Sequence, residues 1–372
     1  MSDDDRAALR RAMSALVVAG AAGVQVRVHD GLGDWTGSAG LARLGRPEGV
    51  PGEGRFRIGS VTKPFVAAVA LMLAAEGELG LDAPVGRYLP DFDLDGAITV
   101  RYALMHLSGL ADYSGDHRPD GAGDPGIFPP IGPEYIRKLT TGYEPAELIR
   151  FALARGPRFE PGRGFFYSNT NYLLAQLVIE KITGTSYADQ IRRRITRPLG
   201  MASTLVPSGP RIPGPHAHGY VAYRDHGDLT VADVTEAHPS WYGAAGSIVS
   251  TTADLDTFVS ALLTGRLLAP PQLAEMLAFV PPDGDGVGIG LFRKEFGPGR
   301  FGIGHFGSVP GFLCFTYGVP DGSARMVLSA NRGAVDRSDP AAVAAFLAAV
   351  DKAVTTCFAA LHVPDGKLSE FR

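Results

Sequence analysis

Cysteine is nearly absent from this chain of 372 residues: Cys314 and Cys357 are the only two. A disulfide framework is excluded, and two reduced thiols are the expectation. A basic stripe is missing as well. Lys and Arg number 35 against 39 Asp and Glu, for a net charge of -4 and a pI near 6.1. A nucleic-acid partner is therefore not expected. Long apolar runs are lacking: the longest, Phe65 to Ala75, is about half of the ~20 residues that cross a bilayer, so no membrane partner is expected. The opening MSDDDRAALRRAMSALVVAG has neither the basic start nor the apolar core and cleavage site of a secretion signal. The chain thus reads as soluble and cytoplasmic, although a chain relieved of a leader would read the same way. No internal repeat of fixed period is visible.

What is present is the material of a large folded enzyme. Hydrophobic residues make up 45% and charged residues 20%, enough to bury a sizeable core in two lobes or one large domain. Gly 48 and Pro 28 announce many turns. An amphipathic helix is predicted over 6–18, behind three aspartates that suit its positive end. Alternation predicts strands over 23–29 and 34–41. An apolar helix over 63–75 is small and greasy nearly all round, hence buried. Helical periods follow at 145–154, 171–183, 186–196 and 252–263, and the Gly/Pro/Asp-rich 114–132 reads as a long surface loop. Strands are predicted over 286–293, 302–306, 311–319 and 325–330, with Pro320-Asp321-Gly322 as a turn, before an Ala-rich helix over 340–361. Strands at both ends imply one α/β lobe made of residues 1–85 and 240–372, with a mainly helical lobe of residues 86–239 and an active site in the cleft between them.

Three short phrases carry chemistry. In Ser60-Val61-Thr62-Lys63, residues three apart share a helix face, so the Lys63 amine reaches the Ser60 hydroxyl. Serine attacks only when a neighbouring base takes its proton, and a buried lysine with a depressed pKa is such a base. In Tyr167-Ser168-Asn169, a phenol with a lowered pKa would pass the Ser60 proton to a leaving group, and the Asn169 amide offers a donor and an acceptor to substrate and to Lys63. In His305-Phe306-Gly307-Ser308, a strand presents backbone N–H groups to an oxyanion, and Gly307 permits close approach. Each phrase alone has a plain structural reading: a helix cap with an ordinary lysine, a core tyrosine with a capping asparagine, a strand histidine facing water.

Together, in this order and spacing, they resemble the S-x-x-K, Y-x-N and basic-x-Gly elements of the penicillin-recognising serine hydrolases, the β-lactamase and penicillin-binding-protein family. RFRIGSVTKPF, ITVRYALMHLSGL, PGRGFFYSNTNYLLAQLVIEKITG and AAGSIVSTTADLDTFVSALLTG are similar to that family's phrases, over about Gly23 to Arg332. Among its branches the chain looks like the serine-type D-alanyl-D-alanine carboxypeptidases, with class C β-lactamases and family VIII esterases as relatives. The resemblance implies an α+β fold, an antiparallel sheet flanked by helices plus a mainly helical lobe. It implies Ser60 as acylated nucleophile, Lys63 and Tyr167 as proton-transfer pair, and Asn169 as a substrate-amide contact. The N–H groups of Ser60 and Ser308 would bind the oxyanion, Trp241 would stand as a cleft-wall aromatic, and His106 would have a structural role.

The third element departs from the carboxypeptidase pattern of His-Thr-Gly followed by Thr. Phe306 lacks the hydroxyl used near a substrate's free carboxylate, and the register of the candidate assisting basic residues, Arg293 and Lys294, is disturbed by Phe292. A site short of a donor for a buried charge binds that charge poorly, so a free C-terminal D-Ala carboxylate is not the expected group. The expectation is an acyl-enzyme hydrolase of an amide or peptide next to a D-residue, taking a small molecule or peptide. The other readings are an esterase, a thioesterase or acyltransferase that cyclises peptides in natural-product assembly, and a penicillin-binding sensor that acylates and stops. No cofactor is implied. His216 and His218, with His226 and His238 nearby, lack the carboxylate or cysteine that would complete a zinc site, and GVGIGLF lacks the following helix and acid of a dinucleotide fingerprint. Oligomeric state is left open.

Overall fold

A computed structural model describes residues 1–115, 125–281 and 285–362. Its central strands are β1 (Ala21–Asp30), β2 (Gly33–Gly40), β7 (Gly286–Val287), β8 (Phe292–Glu295), β9 (Phe301–Val309), β10 (Phe312–Gly318) and β11 (Arg325–Arg332). They form a seven-stranded antiparallel sheet in the order β2-β1-β11-β10-β9-β8-β7. Strands β3 (Phe56–Arg57) and β6 (Val249–Ser250) pair with each other, as do β4 (Tyr220–Asp225) and β5 (Asp228–Asp233). The helices are α1 (Asp3–Val18), α2 (Thr62–Ala75), α3 (Val100–Leu104), α4 (Pro133–Lys138), α5 (Pro145–Leu153), α6 (Thr170–Thr183), α7 (Tyr187–Ile191), α8 (Thr252–Leu263), α9 (Pro270–Met276) and α10 (Pro340–Ala359). This is the expected class: an antiparallel sheet flanked by helices.

Both termini build one side of the sheet. Helix α1 opens with a capping box in which Ser2 and Asp5 satisfy each other's backbone N–H groups. Helix α10 starts at Pro340, with the Asp339 carboxylate accepting from the Ala341 and Ala342 N–H groups. Leu9, Met13 and Leu16 of α1 pack with Phe346, Val350 and Phe358 of α10 over the alternating Val24, Val26 and Val28 of β1. By length and composition α10 is apolar enough to cross a membrane, yet its buried face lies on this sheet. The other core is built around α2, whose Phe65 stacks on Phe258 of α8 at 3.7 Å. Cys314 and Cys357 are free and buried.

Three expectations need correction. The strand predicted over 286–293 is interrupted, because Gly290 adopts φ +72° and turns the chain against α2. A Cβ there would stand 2.6 Å from the Ala67 methyl carbon, so only glycine fits. The helix predicted over 186–196 becomes α7 followed by a π turn over Arg192–Thr196. Within residues 86–239, read as a mainly helical lobe, β4 and β5 form a hairpin whose two central residues, His226 (φ 50°) and Gly227 (φ 95°), both lie left-handed. That is the turn geometry matching strand twist, and the alternation on either side of His226-Gly227 was the missed signal. Of the loop predicted over 114–132, residues 116–124 lie outside the described residues, and its end runs into α4.

Candidate active site

Ser60 sits in a 3₁₀ turn, Gly59–Val61, that feeds directly into α2. The Ser60 hydroxyl caps no helix: Val61 at the N-cap of α2 makes no side-chain cap bond. One turn on, Lys63 is fully buried. Its Nζ lies 3.0 Å from Ser60 Oγ, 2.8 Å from Asn169 Oδ1 and 2.8 Å from the Ala245 carbonyl oxygen. The last two partners can only accept. They fix two of the amine's N–H bonds, so its remaining tetrahedral direction points at Ser60. Burial lowers the Lys63 pKa to about 7, against a smaller opposing pull from Asp112. Deprotonated, the amine turns a lone pair rather than an N–H toward the serine hydroxyl.

Tyr167 closes the other side. Lys63 Nζ stands over its ring at 4.8 Å rather than on its oxygen. Burial raises the phenol pKa, and the Ser60 hydroxyl offsets this only in part. The lowered tyrosine pKa expected from the sequence is therefore corrected: Tyr167 is a neutral O–H, because its surroundings disfavour the phenolate and, among the described residues, no cation hydrogen-bonds its oxygen. His106 stacks on it at 4.2 Å and accepts the Ser168 N–H at Nδ1. His305 is buried 6.3 Å from the Tyr167 ring and donates Nδ1–H to the Phe306 carbonyl at 2.6 Å. Burial, then the Lys63 charge, push His305 down to about 3 and His106 well below its ordinary value. The strand histidine is thus neutral and buried, not solvent-facing.

Asn169 does not cap α6 with its side chain. Its Oδ1 accepts from Lys63, while its Nδ2 donates to Asp112 Oδ2 at 3.0 Å and to Ser114 Oγ at 3.2 Å. Asp112 and the Ala245 carbonyl were missed by sequence reasoning. A backbone oxygen leaves no trace in side-chain chemistry. Asp112 follows the quoted MHLSGL phrase by two residues, and a carboxylate so close to a family phrase was an available signal.

The backbone of β9 is pressed against the nucleophile turn. A Cβ on Gly307 would lie 1.9 Å from the Ile58 oxygen and 2.9 Å from the Ser60 nitrogen. Such contact is possible only for glycine. Gly307→Ala should therefore push β9 off the turn, lowering the denaturant midpoint by the equivalent of about 3 kcal/mol and removing activity together with it. An alanine variant of parental stability and rate would show that the two segments are free to separate.

Other expected substrate contacts fall differently. Trp241 is fully buried: it stacks on Phe128 at 3.9 Å and donates Nε1–H to the Thr141 carbonyl at 3.1 Å. It is a core residue behind the cleft, so the cleft-wall reading is corrected. Phe306 is 44% exposed and lies over Phe292 and Phe315, at 6.0 and 6.4 Å. Phe292, not its basic neighbours, faces Tyr167 and His305. Arg293 lies over the Phe279 and Phe301 rings, and Lys294 pairs with Asp351 at 3.3 Å, so neither reaches the site. The guanidinium beside the third element comes instead from β11: Arg332 Nη2 is 3.4 Å from Ser308 Oγ.

His216 and His218 stack at 5.5 Å, and His218 pairs with Asp233 at 2.6 Å. The described residues gather a different trio of donors, His29, Asp34 and Asp256, within 4.8 Å. Asp256 there is held by Arg325 at 2.8 Å and Asp34 lies 3.9 Å from Arg27. Those guanidinium groups oppose a second cation.

A serine, a buried amine and a phenol around one point, beside strand β9 of an antiparallel sheet, define an acyl-transfer type of site. A family model described as Beta-lactamase matches residues 9–349, and the chain belongs to that family. A D-stereospecific amidohydrolase from Streptomyces sp. is similar at 36% identity and TM-score 0.77, over 87% of this chain and 94% of that one. A D-amino acid amidase from Ochrobactrum anthropi SV3, solved with L-phenylalanine amide, is similar at 29% identity and TM-score 0.79, over 95% and 98%. Penicillin-binding protein 4* of Bacillus subtilis (strain 168) is 30% identical over 272 residues, 69% of this chain and 56% of that protein. The chain spans about half the length of the curated relatives it matches.

Proposed function

We propose that the protein is a serine hydrolase that cleaves an amide or peptide bond beside a D-residue through an acyl-enzyme on Ser60. The observation that carries this is the pair of acceptor-only partners on Lys63, Asn169 Oδ1 and the Ala245 oxygen, which leaves the third direction of the amine for the Ser60 hydroxyl. Neutral Lys63 takes the hydroxyl proton as Oγ attacks the carbonyl carbon, giving a tetrahedral oxyanion against the N–H groups of Ser60 and Ser308. The neutral Tyr167 phenol donates its proton to the leaving nitrogen and takes back the proton that Lys63 received from Ser60. The amine leaves, and water repeats the sequence in reverse to release the acid and free Ser60. The amide-cleaving, D-selective names of the two similar solved structures support the choice of substrate. A cytoplasmic location belongs to the same proposal, since both cysteines are free; cell fractionation tests it.

The test is a panel of D- and L-phenylalanine amides, a blocked D-dipeptide and a nitrophenyl ester, with the Ser60→Ala protein as control. Ammonia or amine release from the D-amides at least about tenfold faster than from the L-amides, absent in the control, is the expected result. Ester cleavage without amide cleavage, or equal rates for both hands, would overturn it.

A further inference from the structure

Asp112 lies beyond hydrogen-bonding reach of Ser60's immediate partners, yet it is 3% exposed and is part of the same chain of contacts. Its Oδ1 accepts from the Ser114 N–H at 2.9 Å and the Ser114 hydroxyl at 3.0 Å, and its Oδ2 accepts from Asn169 Nδ2 at 3.0 Å. The Asn169 oxygen, on the far end of that amide, holds Lys63 at 2.8 Å. We propose that Asp112 is a positioning residue: its carboxylate locks the Asn169 amide with oxygen toward Lys63, and so aims the lysine electron pair at Ser60. This rests on the acyl-enzyme reading above.

The argument is one of donor and acceptor parity. An ionised carboxylate can only accept, so it receives only the NH₂ end of Asn169. Rotating that amide by half a turn would set its oxygen against the carboxylate and its NH₂ against the Lys63 nitrogen. Both contacts would be repulsive, in a site where no water can compensate. The three donors around Asp112 oppose the rise in its pKa that burial produces. The Asp112 charge also acts on Lys63 through space. From the 106–114 segment Lys63 meets His106 and Asp112, from the loop before α6 Tyr167, from α6 Tyr172, and from β9 His305. The two histidines and the two phenols are held neutral by burial. Among the described residues, Asp112 is therefore the charge that Lys63 feels. It favours the ammonium and raises the pH at which the base becomes free.

Asp112→Asn conserves volume but offers both a donor and an acceptor, so the Asn169 amide can settle either way round. Turnover of the nitrophenyl ester or a D-amide by wild-type enzyme, variant and Ser60→Ala control gives the readout. The expected result is a 10- to 100-fold loss in kcat with KM changed less than about threefold, and an acid limb of kcat/KM shifted to lower pH by about half a unit or more. Ser114→Ala removes a donor that holds Asp112 ionised, and so weakens the charge acting on Lys63. It should move the limb the same way by less, and it serves if the Asp112→Asn protein does not fold. The double variant Asp112→Asn with Asn169→Ala should be no slower than Asn169→Ala alone, because Asp112 acts through that amide. An unmoved acid limb in the variants that fold, a loss confined to KM, or additive losses in the double variant would overturn the role. Absence of Ser60-dependent turnover in the wild type would instead bring down the acyl-enzyme reading and this proposal with it.

Discussion

Ser60→Ala should eliminate covalent labelling by a fluorophosphonate or penicillin probe and lower kcat on a D-amino-acid amide by about 10⁵-fold. Losses of that order follow when the nucleophile of a covalent mechanism is removed. The fold should be untouched. The hydroxyl accepts one bond from Lys63 at 3.0 Å, and that amine keeps its two other partners, Asn169 and Ala245. The substitution therefore separates chemistry from stability. Intact mass after labelling reads the first, and a thermal melt within about 2 °C of the parent reads the second. Undiminished turnover in the alanine protein would mean that another group attacks, and the arrangement around Lys63 would need a different explanation.

Lys63→Met should cost about 10³- to 10⁴-fold in kcat, the upper range for loss of a positioned general base. Its second signature is the more diagnostic. With the lysine pKa near 7, the base is protonated and idle below that pH and free above it. Wild-type kcat/KM should therefore rise tenfold per pH unit below about 7 and level off above. In the Lys63→Met protein the residual rate should lose that limb. Stability should stay within about 2 kcal/mol of the parent, since methionine fills much of the lysine stem volume. Removing a buried cation offsets the orphaned acceptors on Asn169 and Ala245. A residual rate that keeps its limb near pH 7 would assign the titration to another group. His305 and His106 are poor candidates, because burial holds both far below that range.

The legible parts of the site were those that sequence spacing fixes. Ser60 and Lys63 are one turn apart on a helix whose apolar run made it buried, and from that alone the amine was placed on the hydroxyl. The depressed lysine pKa followed from the same apolar run. Tyr167 was placed correctly in space but wrongly in protonation. Its pKa depends on whether a cation sits on the oxygen or over the ring, and that is a matter of ångströms. Trp241 was misplaced for a related reason, and the same reason decides Arg293 and Lys294, whose register the sequence left disturbed by Phe292. Which side of an element faces the cleft depends on the neighbouring layer: Phe128 covers Trp241, and Asp351 of α10 draws Lys294 away.

The sequence by itself determined most element types and the three phrases whose residue chemistry suits acyl transfer, while the antiparallel class with helices covering it came from the family resemblance those phrases carry. Local periodicity, capping and turn preferences act over a few residues, so they can be read along the chain. Only the tertiary structure decided how the phrases meet. The pressing of Gly307 against Ser60, the Ala245 carbonyl on Lys63 and the route from Asp112 through Asn169 join segments separated by tens to hundreds of residues. They are set by core packing around α2 and by the cost of leaving a buried polar group without a partner.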